Sequence, residues 1–198
     1  MKDKSRIIAL MNEISSLLES KDVHPNKNTL KSIETELIKI KSSLDKKPDT
    51  KPSDEIILIW SDGACKGNPG PGGWASIVQN DGKSQEIYGS TKKTTNNIME
   101  LTAALQGIRL TPTGSQIVLT TDSKYLINGI TEWIKNWKKK GWRKKDGSPV
   151  LNQELWQELD AESQTRRIEW KWIKGHSGHP QNERCDQLAN IAISELLI

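Results

Sequence analysis

The chain has 198 residues, 27% of them charged, with a formal net charge of +4, and this length suffices for one well-buried domain and a smaller segment. No run of about 18 apolar residues occurs, which excludes a membrane-spanning helix. The first residues, MKDKSRIIALMNEISS, also lack the apolar core of a secretory signal, so we expect a cytoplasmic protein whose two cysteines, Cys65 and Cys185, are reduced thiols.

Residues 1–44 contain two series of apolar residues at helical spacing and no aromatic residue. The series are Ile7, Met11, Ile14 and Leu18, and then Leu30, Ile33, Leu37, Ile40 and Leu44. This spacing predicts a small helical hairpin whose helices are too short to be stable alone. We expect the two helices to pair with each other, with the following domain or with a second chain. Pairing with a second chain would make the extension a dimerisation segment. Residues 45–53, DKKPDTKPS, have two prolines and no apolar side chain, and we expect a linker there.

Residues 54–198 show the pattern of an α/β domain. The predicted strands are 56–61, 73–79, 85–91, 116–121 and 167–173, and the predicted helices are 96–110, 124–139, 151–163 and 181–196, with a basic loop at 140–149. Three strands followed by alternating helices and strands favour a sheet with helices on both sides.

Four acidic residues lie in four distinct sequence settings. Asp62 follows the apolar run Ile56–Trp60 and precedes a glycine-rich turn, and Asp122 follows a second apolar run. Glu100 lies among apolar residues of a predicted helix, where an acid is costly unless it faces a ligand or water. Two strand ends and a helix acid can converge, and converging like charges need a cation between them. The alternative is that these acids cap helices or pair with lysines and arginines, and for Asp122 capping is a real competitor.

The segments that carry these acids resemble the ribonuclease HI (type 1 ribonuclease H) family from about Ile56 to the C-terminus, in order and in spacing. They read SDGACKGNPGPGGW, TTNNIMELTAAL, VLTTDSKYLINGI and KGHSGHPQNERCDQLA, and contain Asp62, Glu100, Asp122 and Asp186 respectively. The resemblance implies a ribonuclease H-like fold with a five-stranded mixed sheet flanked by helices. It also implies an endonuclease that hydrolyses the RNA strand of an RNA/DNA hybrid.

The resemblance assigns metal binding to Asp62, Glu100, Asp122 and Asp186, and proton transfer to His176. It implies two-metal-ion catalysis, with two ions present when substrate is bound. Carboxylate oxygens suit Mg²⁺, with Mn²⁺ as a substitute, and no cluster of His and Cys competes for zinc.

We expect the catalytic domain to be a monomer, and the resemblance further implies that it contacts the hybrid through the loop at 65–68, the segment at 95–97 and residue 124. These contacts are Cys65, Asn68, Thr95, Asn96, Asn97 and Lys124. Discrimination of RNA from DNA requires polar groups that reach the 2′-hydroxyl. Lys124 stands where the family more often has glutamine. The alternative to substrate contact is turn formation or helix capping for the asparagines. For Thr95, helix capping is at least as plausible as binding.

A basic run between Lys135 and Lys145 contains no acidic residue and is interleaved with tryptophans. Its basic members are Lys135, Lys138, Lys139, Lys140, Arg143, Lys144 and Lys145. Such a patch predicts a polyanionic partner. It resembles the family's basic handle, which implies substrate contacts by Trp133, Trp137, Lys138, Lys139, Lys140 and Trp142. The alternative for Trp133 and Trp137 is packing against the domain, and the other tryptophans, Trp60, Trp74, Trp156, Trp170 and Trp172, are predicted to lie in or near the core.

Two other functions remain compatible with the residues. One is a protein that binds hybrids without cutting them, and the other is a different nuclease or polynucleotidyl transferase on the same fold. Intact acids argue against the first function. The complete loop and handle motifs argue against the second.

Overall fold

The computed structural model describes residues 55–198, so the predicted extension (1–44) and the linker (45–53) lie outside the described residues. The strands are β1 (Ile56–Cys65), β2 (Gly70–Asn80), β3 (Lys83–Thr94), β4 (Gln116–Thr121) and β5 (Arg167–Trp172). The helices are α1 (Asn96–Arg109), α2 (Lys124–Asn128), α3 (Ile134–Lys139), α4 (Gln153–Gln164) and α5 (Pro180–Leu196), with a π-helical segment at Gly129–Trp133 between α2 and α3. No helix within residues 55–198 is both long and apolar enough to cross a membrane.

The five strands form one mixed sheet in the order β3-β2-β1-β4-β5. β2 is antiparallel to both of its neighbours, β1 and β3, whereas β4 and β5 run parallel to β1. This arrangement confirms the predicted five-stranded mixed sheet. Because β1 and β4 are parallel neighbours with Ser61 paired to Thr121, the residues that follow this pair lie at the same end of the sheet.

Helices cover both faces of the sheet, and each face has its own apolar cluster. On one face, α1 contributes Leu101 and Leu105 to a cluster that also contains Ile59, Leu119 and Trp156. On the other face, α5 contributes the apolar side chains of Cys185, Leu188 and Ala189, which pack against Ala75 and Ile77 of β2. Burial of these side chains is the main stabilising term of the fold, and it fixes α1 and α5 against the central strands.

The predicted helix at 124–139 is interrupted in the structure. A π-helical segment separates α2 from α3 where Gly129 lies directly against the indole of Trp156, so closely that a β-carbon at residue 129 would overlap the ring. Single π-helical turns inside α-helices are uncommon, and this one begins at the residue that contacts the Trp156 ring. Asn152 adopts a left-handed conformation (φ 58°), so α4 begins at Gln153 rather than at residue 151.

The tryptophans expected in or near the core behave differently from one another. Trp156 is fully buried, and Trp60, Trp74 and Trp170 are half-buried. The prediction for Trp172 was wrong, because this side chain is 42% exposed. Trp172 is the last residue of the edge strand β5, so it has a neighbouring strand on one side only.

Candidate active site

Asp62 and Asp122 lie on adjacent strands at one end of the sheet. Asp62 follows Ser61 on β1 and Asp122 follows Thr121 on β4, and Ser61 and Thr121 are paired in register. The carboxylate of Asp62 accepts a hydrogen bond from the Gly63 amide at 2.7 Å. Asp122 does not cap the following helix, because the side chain of Ser123 fills that position by accepting from the Leu126 amide. The capping alternative for Asp122 is therefore wrong.

Glu100 approaches the same strand end from α1. A side chain at residue 63 would overlap the backbone of Met99 and Glu100, so Gly63 allows α1 to lie directly on β1 beside Asp62. The Glu100 carboxylate is held at both oxygens: the Asn96 side-chain amide donates to Oε1 at 2.9 Å, and the Ser123 hydroxyl donates to Oε2. Glu100 thus joins α1 to the segment that follows β4.

The first turns of α5 bring Asp186 to the site. Asn182, which is only 3% exposed, donates from Nδ2 to Asp122 Oδ2 at 3.4 Å. Cys185 is buried beneath β1 and its thiol donates to the Trp60 carbonyl at 3.4 Å. Asp186 is half-buried, and its carboxylate accepts from the Asn190 side chain at 2.9 Å.

The electrostatics show that the four acids share one environment. Burial, together with the negative charges of Asp122, Asp186 and Glu100, raises the pKa of Asp62 to about 8 against the opposing hydrogen bond from the Gly63 amide. Burial also raises the pKa of Glu100. The hydrogen bond from the Ser123 hydroxyl lowers this pKa, and the negative charge of Asp122 raises it. A bound cation would relieve this repulsion.

The donor set fits a hard divalent cation. All four acids offer oxygen, the element that Mg²⁺ and Mn²⁺ prefer. Burial raises the pKa of the Cys185 thiol, so this group stays protonated and is not a thiolate ligand. Within residues 55–198, no three acid, imidazole or thiol side chains yet converge tightly enough to hold an ion by themselves. Glu100, Asp122 and Asp186 are instead each turned toward an amide or hydroxyl partner.

His176 lies on the loop between β5 and α5, next to the acids. Its side chain is exposed and its backbone is left-handed (φ 50°). The preceding Gly175 lies so close to the Asp122 carboxylate that a β-carbon there would overlap it. The loop is tied to α5 by a hydrogen bond from the Gly178 amide to Glu183 at 3.0 Å. The sequence therefore positions this histidine on a tethered loop that borders Asp122.

The polar segments predicted to face the hybrid lie together beside Glu100. Asn68 Oδ1 accepts from the Asn96 amide at 3.4 Å, which joins the β1–β2 loop to the start of α1. Thr95 caps α1 by accepting from the Ile98 amide, so its capping alternative is confirmed. The Cys65 thiol donates to the Gly67 carbonyl at 2.7 Å. Asn97 is half-buried on the first turn of α1.

The tryptophans of the basic run pack largely on one another and on the domain. Successive ring centroids lie 5.8 Å apart between Trp133 and Trp137 and 6.3 Å apart between Trp137 and Trp142. Trp137 and Trp142 also contact the core, so the packing alternative is confirmed for Trp137. Lys138 is paired with Asp160 at 2.6 Å, whereas Lys139 and Lys140 are exposed and have no carboxylate of residues 55–198 within ion-pair distance.

Sequence reasoning missed four side chains that contact the acids or their backbone. Asn96, which holds Glu100, had been singled out for a different role and is not one of the four. Three of the four are Ser123, which also holds Glu100, Asn182, which contacts Asp122, and Asn190, which contacts Asp186. The fourth is Trp172, whose indole N–H donates to the Asp122 carbonyl at 3.0 Å. Ser123 and Asn182 could have been found from the motifs TTDSK and PQNERC that contain them. Nothing in the sequence indicated Asn190 or Trp172.

Comparisons with known proteins agree with this geometry. The RNase H family model matches residues 54–194. A ribonuclease H of Alcanivorax borkumensis is 54% identical over 140 residues, which are 71% of this chain and 93% of the relative. A ribonuclease H of Hahella chejuensis is 54% identical over 143 residues, or 72% and 97% of the two chains. A ribonuclease HI of Pseudomonas putida is 50% identical over 142 residues, or 72% and 96%.

Solved structures share the fold. LC9-RNase H1, a type 1 RNase H with the type 2 active-site motif, aligns with a TM-score of 0.65 at 32% identity over 74% of this chain and 75% of its own. LC11-RNase H1, solved in complex with an RNA/DNA hybrid, aligns with a TM-score of 0.53 over 72% and 99% of the two chains. At 22% identity, this second likeness supports the fold alone.

Proposed function

The chain belongs to the ribonuclease H family, and we propose that it cuts the RNA strand of RNA/DNA hybrids with two divalent ions held by Asp62, Glu100, Asp122 and Asp186. The observation that carries this proposal is the placement of Asp62 and Asp122 directly after the paired residues Ser61 and Thr121, where the charges of Asp122, Asp186 and Glu100 help to raise the pKa of Asp62. Neighbouring carboxylates bind cations that prefer oxygen ligands. Such cations suit phosphodiester hydrolysis, because they also neutralise the negative charge that the substrate brings to the site.

When bound, the ions would neutralise the phosphoryl oxygens, activate water and stabilise the leaving oxygen. The protein's own residues hold the acids ready for this task. Asn96 and Ser123 fix both oxygens of Glu100, and Asn182 contacts Asp122 from the opposite side, on α5. Side chains held in this way lose less conformational freedom when a ligand binds.

His176 is the candidate for proton transfer. An imidazole can both accept and donate a proton, as a proton-transfer group must. Its loop borders the Asp122 carboxylate through Gly175 and is tied to α5 by Glu183. The exposed imidazole can therefore exchange protons with solvent while it stays beside the acids.

The joined loops of Asn68 and Asn96 are the candidate surface for reading the hybrid. Their polar groups adjoin Glu100, so a strand placed against them also reaches the acids. The 54% identity to a ribonuclease H of Alcanivorax borkumensis supports an RNA/DNA hybrid as the substrate class here. Amides and short polar side chains suit contacts with the 2′-hydroxyl.

A cleavage assay tests the proposed function. Labelled strands of an RNA/DNA hybrid, an RNA duplex and a DNA duplex are incubated with the full chain in Mg²⁺, in Mn²⁺ and in a chelator. We expect internal cuts in the RNA strand of the hybrid alone, and only with a divalent ion. Tight hybrid binding without any cleavage would instead support a binding protein, and cleavage of the DNA duplex would support a different nuclease.

We expect the exposed lysines of the basic run to contribute phosphate contacts. Changing Lys139, Lys140 and Lys144 to Ala should raise the Kd for the hybrid and reduce the slope of log Kd against log salt by about three, since each lost contact removes about one unit. The matched control is Lys138→Ala, because the Asp160 carboxylate already pairs with this lysine. Its effect on the slope should be clearly smaller than that of Lys139→Ala. Equal slopes for these two single variants would contradict this assignment.

We propose that residues 54–198 form the catalytic domain and that residues 1–53 are separable from it. The matched segments cover 93% and 97% of the length of two relatives while using only 71% and 72% of this chain. Deletion of residues 1–53 should leave kcat on a short hybrid within a few-fold, with any loss on long hybrids through reduced avidity. A large loss of kcat on the short hybrid would show that the extension completes the active site.

A further inference from the structure

Lys124 and Trp172 form a contact at the edge of the acidic site. Lys124 begins α2, two residues after Asp122, and Trp172 ends the edge strand β5. The Lys124 ammonium lies over the indole, 5.2 Å from the ring centroid. Trp172 is 42% exposed, so the contact lies at the surface. No carboxylate of residues 55–198 is within ion-pair distance of Lys124, although the acids are close in sequence and in space.

The indole of Trp172 has a fixed place. Its backbone pairs with Thr121 of β4, and its ring N–H donates to the Asp122 carbonyl at 3.0 Å. A ring held at two points on neighbouring strands is a stable platform for a cation. A lysine side chain otherwise samples many rotamers, and part of that freedom must be lost whenever the ammonium binds a phosphate.

The position of the ammonium favours an anionic ligand over a structural role. An exposed lysine that neutralised the site would pair with one of the acids, and Lys124 instead lies over an uncharged ring. An ammonium that lies over a ring touches the ring with one side only, so its remaining N–H groups can still donate to a ligand. A lysine ammonium is a compact charge that binds a phosphate oxygen without demanding a particular orientation.

We propose that Trp172 is a positioning residue that holds Lys124 over its ring, where the ammonium takes a phosphate of the nucleic-acid strand that enters the acidic site. This inference rests on the proposed function, because it names a further contact for the same substrate. Trp172 acts through Lys124 and need not touch the substrate. Its importance should therefore disappear when the lysine is removed.

A double-mutant cycle tests this coupling in the full-length protein. The variants are Lys124→Gln, Trp172→Leu and the combination, and thermal unfolding checks that each is folded. Tyr88→Leu is the matched aromatic control, because Tyr88 is also 42% exposed but lies on the opposite edge strand β3. Lys171→Gln is the charge control, since alternation along β5 directs Lys171 to the face opposite Trp172. Hybrid binding is measured in Ca²⁺ over a salt series, and KM and kcat are measured in Mg²⁺.

Lys124→Gln should reduce the slope of log Kd against log salt by about one. Trp172→Leu should raise Kd and KM about two- to fivefold, the range of an exposed cation–π contact, with a smaller change in kcat. In the Lys124→Gln background, Trp172→Leu should raise neither constant further. Equal effects of Trp172→Leu in both backgrounds would overturn the proposal, and so would an unchanged slope for Lys124→Gln. Hybrid binding and cleavage by the unmodified protein report on the proposed function separately, so failure of the coupling alone leaves that function standing.

Discussion

Replacement of Asp62 by Asn is expected to reduce cleavage of the hybrid by a factor on the order of a thousand or more. Asp62 lies where the charges of Asp122, Asp186 and Glu100 all act on it, and the amide cannot supply the negative charge that a shared cation needs. The hybrid Kd should change little, because the loops and the basic run are untouched. Initial rates in Mg²⁺ measure the effect. Retention of more than about a tenth of the activity would overturn the assignment of Asp62 as a metal ligand.

The same substitution should stabilise the protein when divalent ions are removed. The pKa of Asp62 is raised from 3.8 to about 8 in the folded state, so the folded protein binds a proton more tightly than the unfolded chain does. The stability that this proton contributes is fully present below pH 3.8 and is lost as the pH rises through about 8. Asn cannot titrate, so the variant does not lose this stability. Its free energy of unfolding should therefore exceed that of the unmodified protein by a margin that grows over this pH window to a few kcal/mol at most.

Thermal unfolding in a chelator at pH 5 and at pH 9 measures this advantage. The variant should melt above the unmodified protein by a margin that is larger at pH 9, and Mg²⁺ should narrow or reverse the difference because the ion stabilises only the form that binds it. Asp81→Asn is the matched control, since Asp81 is exposed in the β2–β3 turn with φ 51°, a conformation that Asn tolerates. A lower melting temperature for Asp62→Asn in the chelator at pH 9 would contradict the argument.

The sheet was predictable because its central strands are apolar runs with few alternatives. An acid follows each of the two apolar runs that lie in β1 and β4, and the parallel pairing of Ser61 with Thr121 then places Asp62 and Asp122 on adjacent strands at the same end of the sheet. Glu100 was also expected in the site, since an acid among apolar helix residues needs a polar partner. Those partners are Asn96 and Ser123, and the sequence does not reveal them because they depend on how α1 lies against the end of β4.

Side-chain direction at the edges of the domain was less predictable. Trp170 and Trp172 are two residues apart on the same short strand, so their side chains share one face of it, and composition alone placed both near the core. Only the sheet order shows that β5 is an edge strand, where a terminal ring can stay exposed and bond the Asp122 carbonyl. The π-helical segment was not predictable either, because its first residue, Gly129, packs against Trp156, which lies far away in the sequence.

Replacement of Trp156 by Ala is expected to cost about 3–5 kcal/mol of unfolding free energy. Trp156 is fully buried, and its ring centroid lies 5.4 Å from those of both Tyr125 and Trp137. Its indole N–H donates to the Tyr125 hydroxyl at 3.2 Å, so the change also removes one of the two hydrogen bonds that this hydroxyl accepts, the other coming from Asn152. Such a cost is a large part of the usual stability of a domain. Denaturant unfolding measures it.

Loss of Trp156 should also weaken hybrid binding, because Trp137 and the basic run rest on this ring.

The contact with Gly129 offers a test that separates this packing from a general loss of stability. Gly129→Ala should cost about 1–3 kcal/mol, since the new methyl group overlaps the indole. In a Trp156→Leu background, where the smaller side chain leaves room, the same Gly129→Ala change should cost much less. Additive free energies for the two substitutions would show that this contact does not determine how the π-helical segment and the basic run are held.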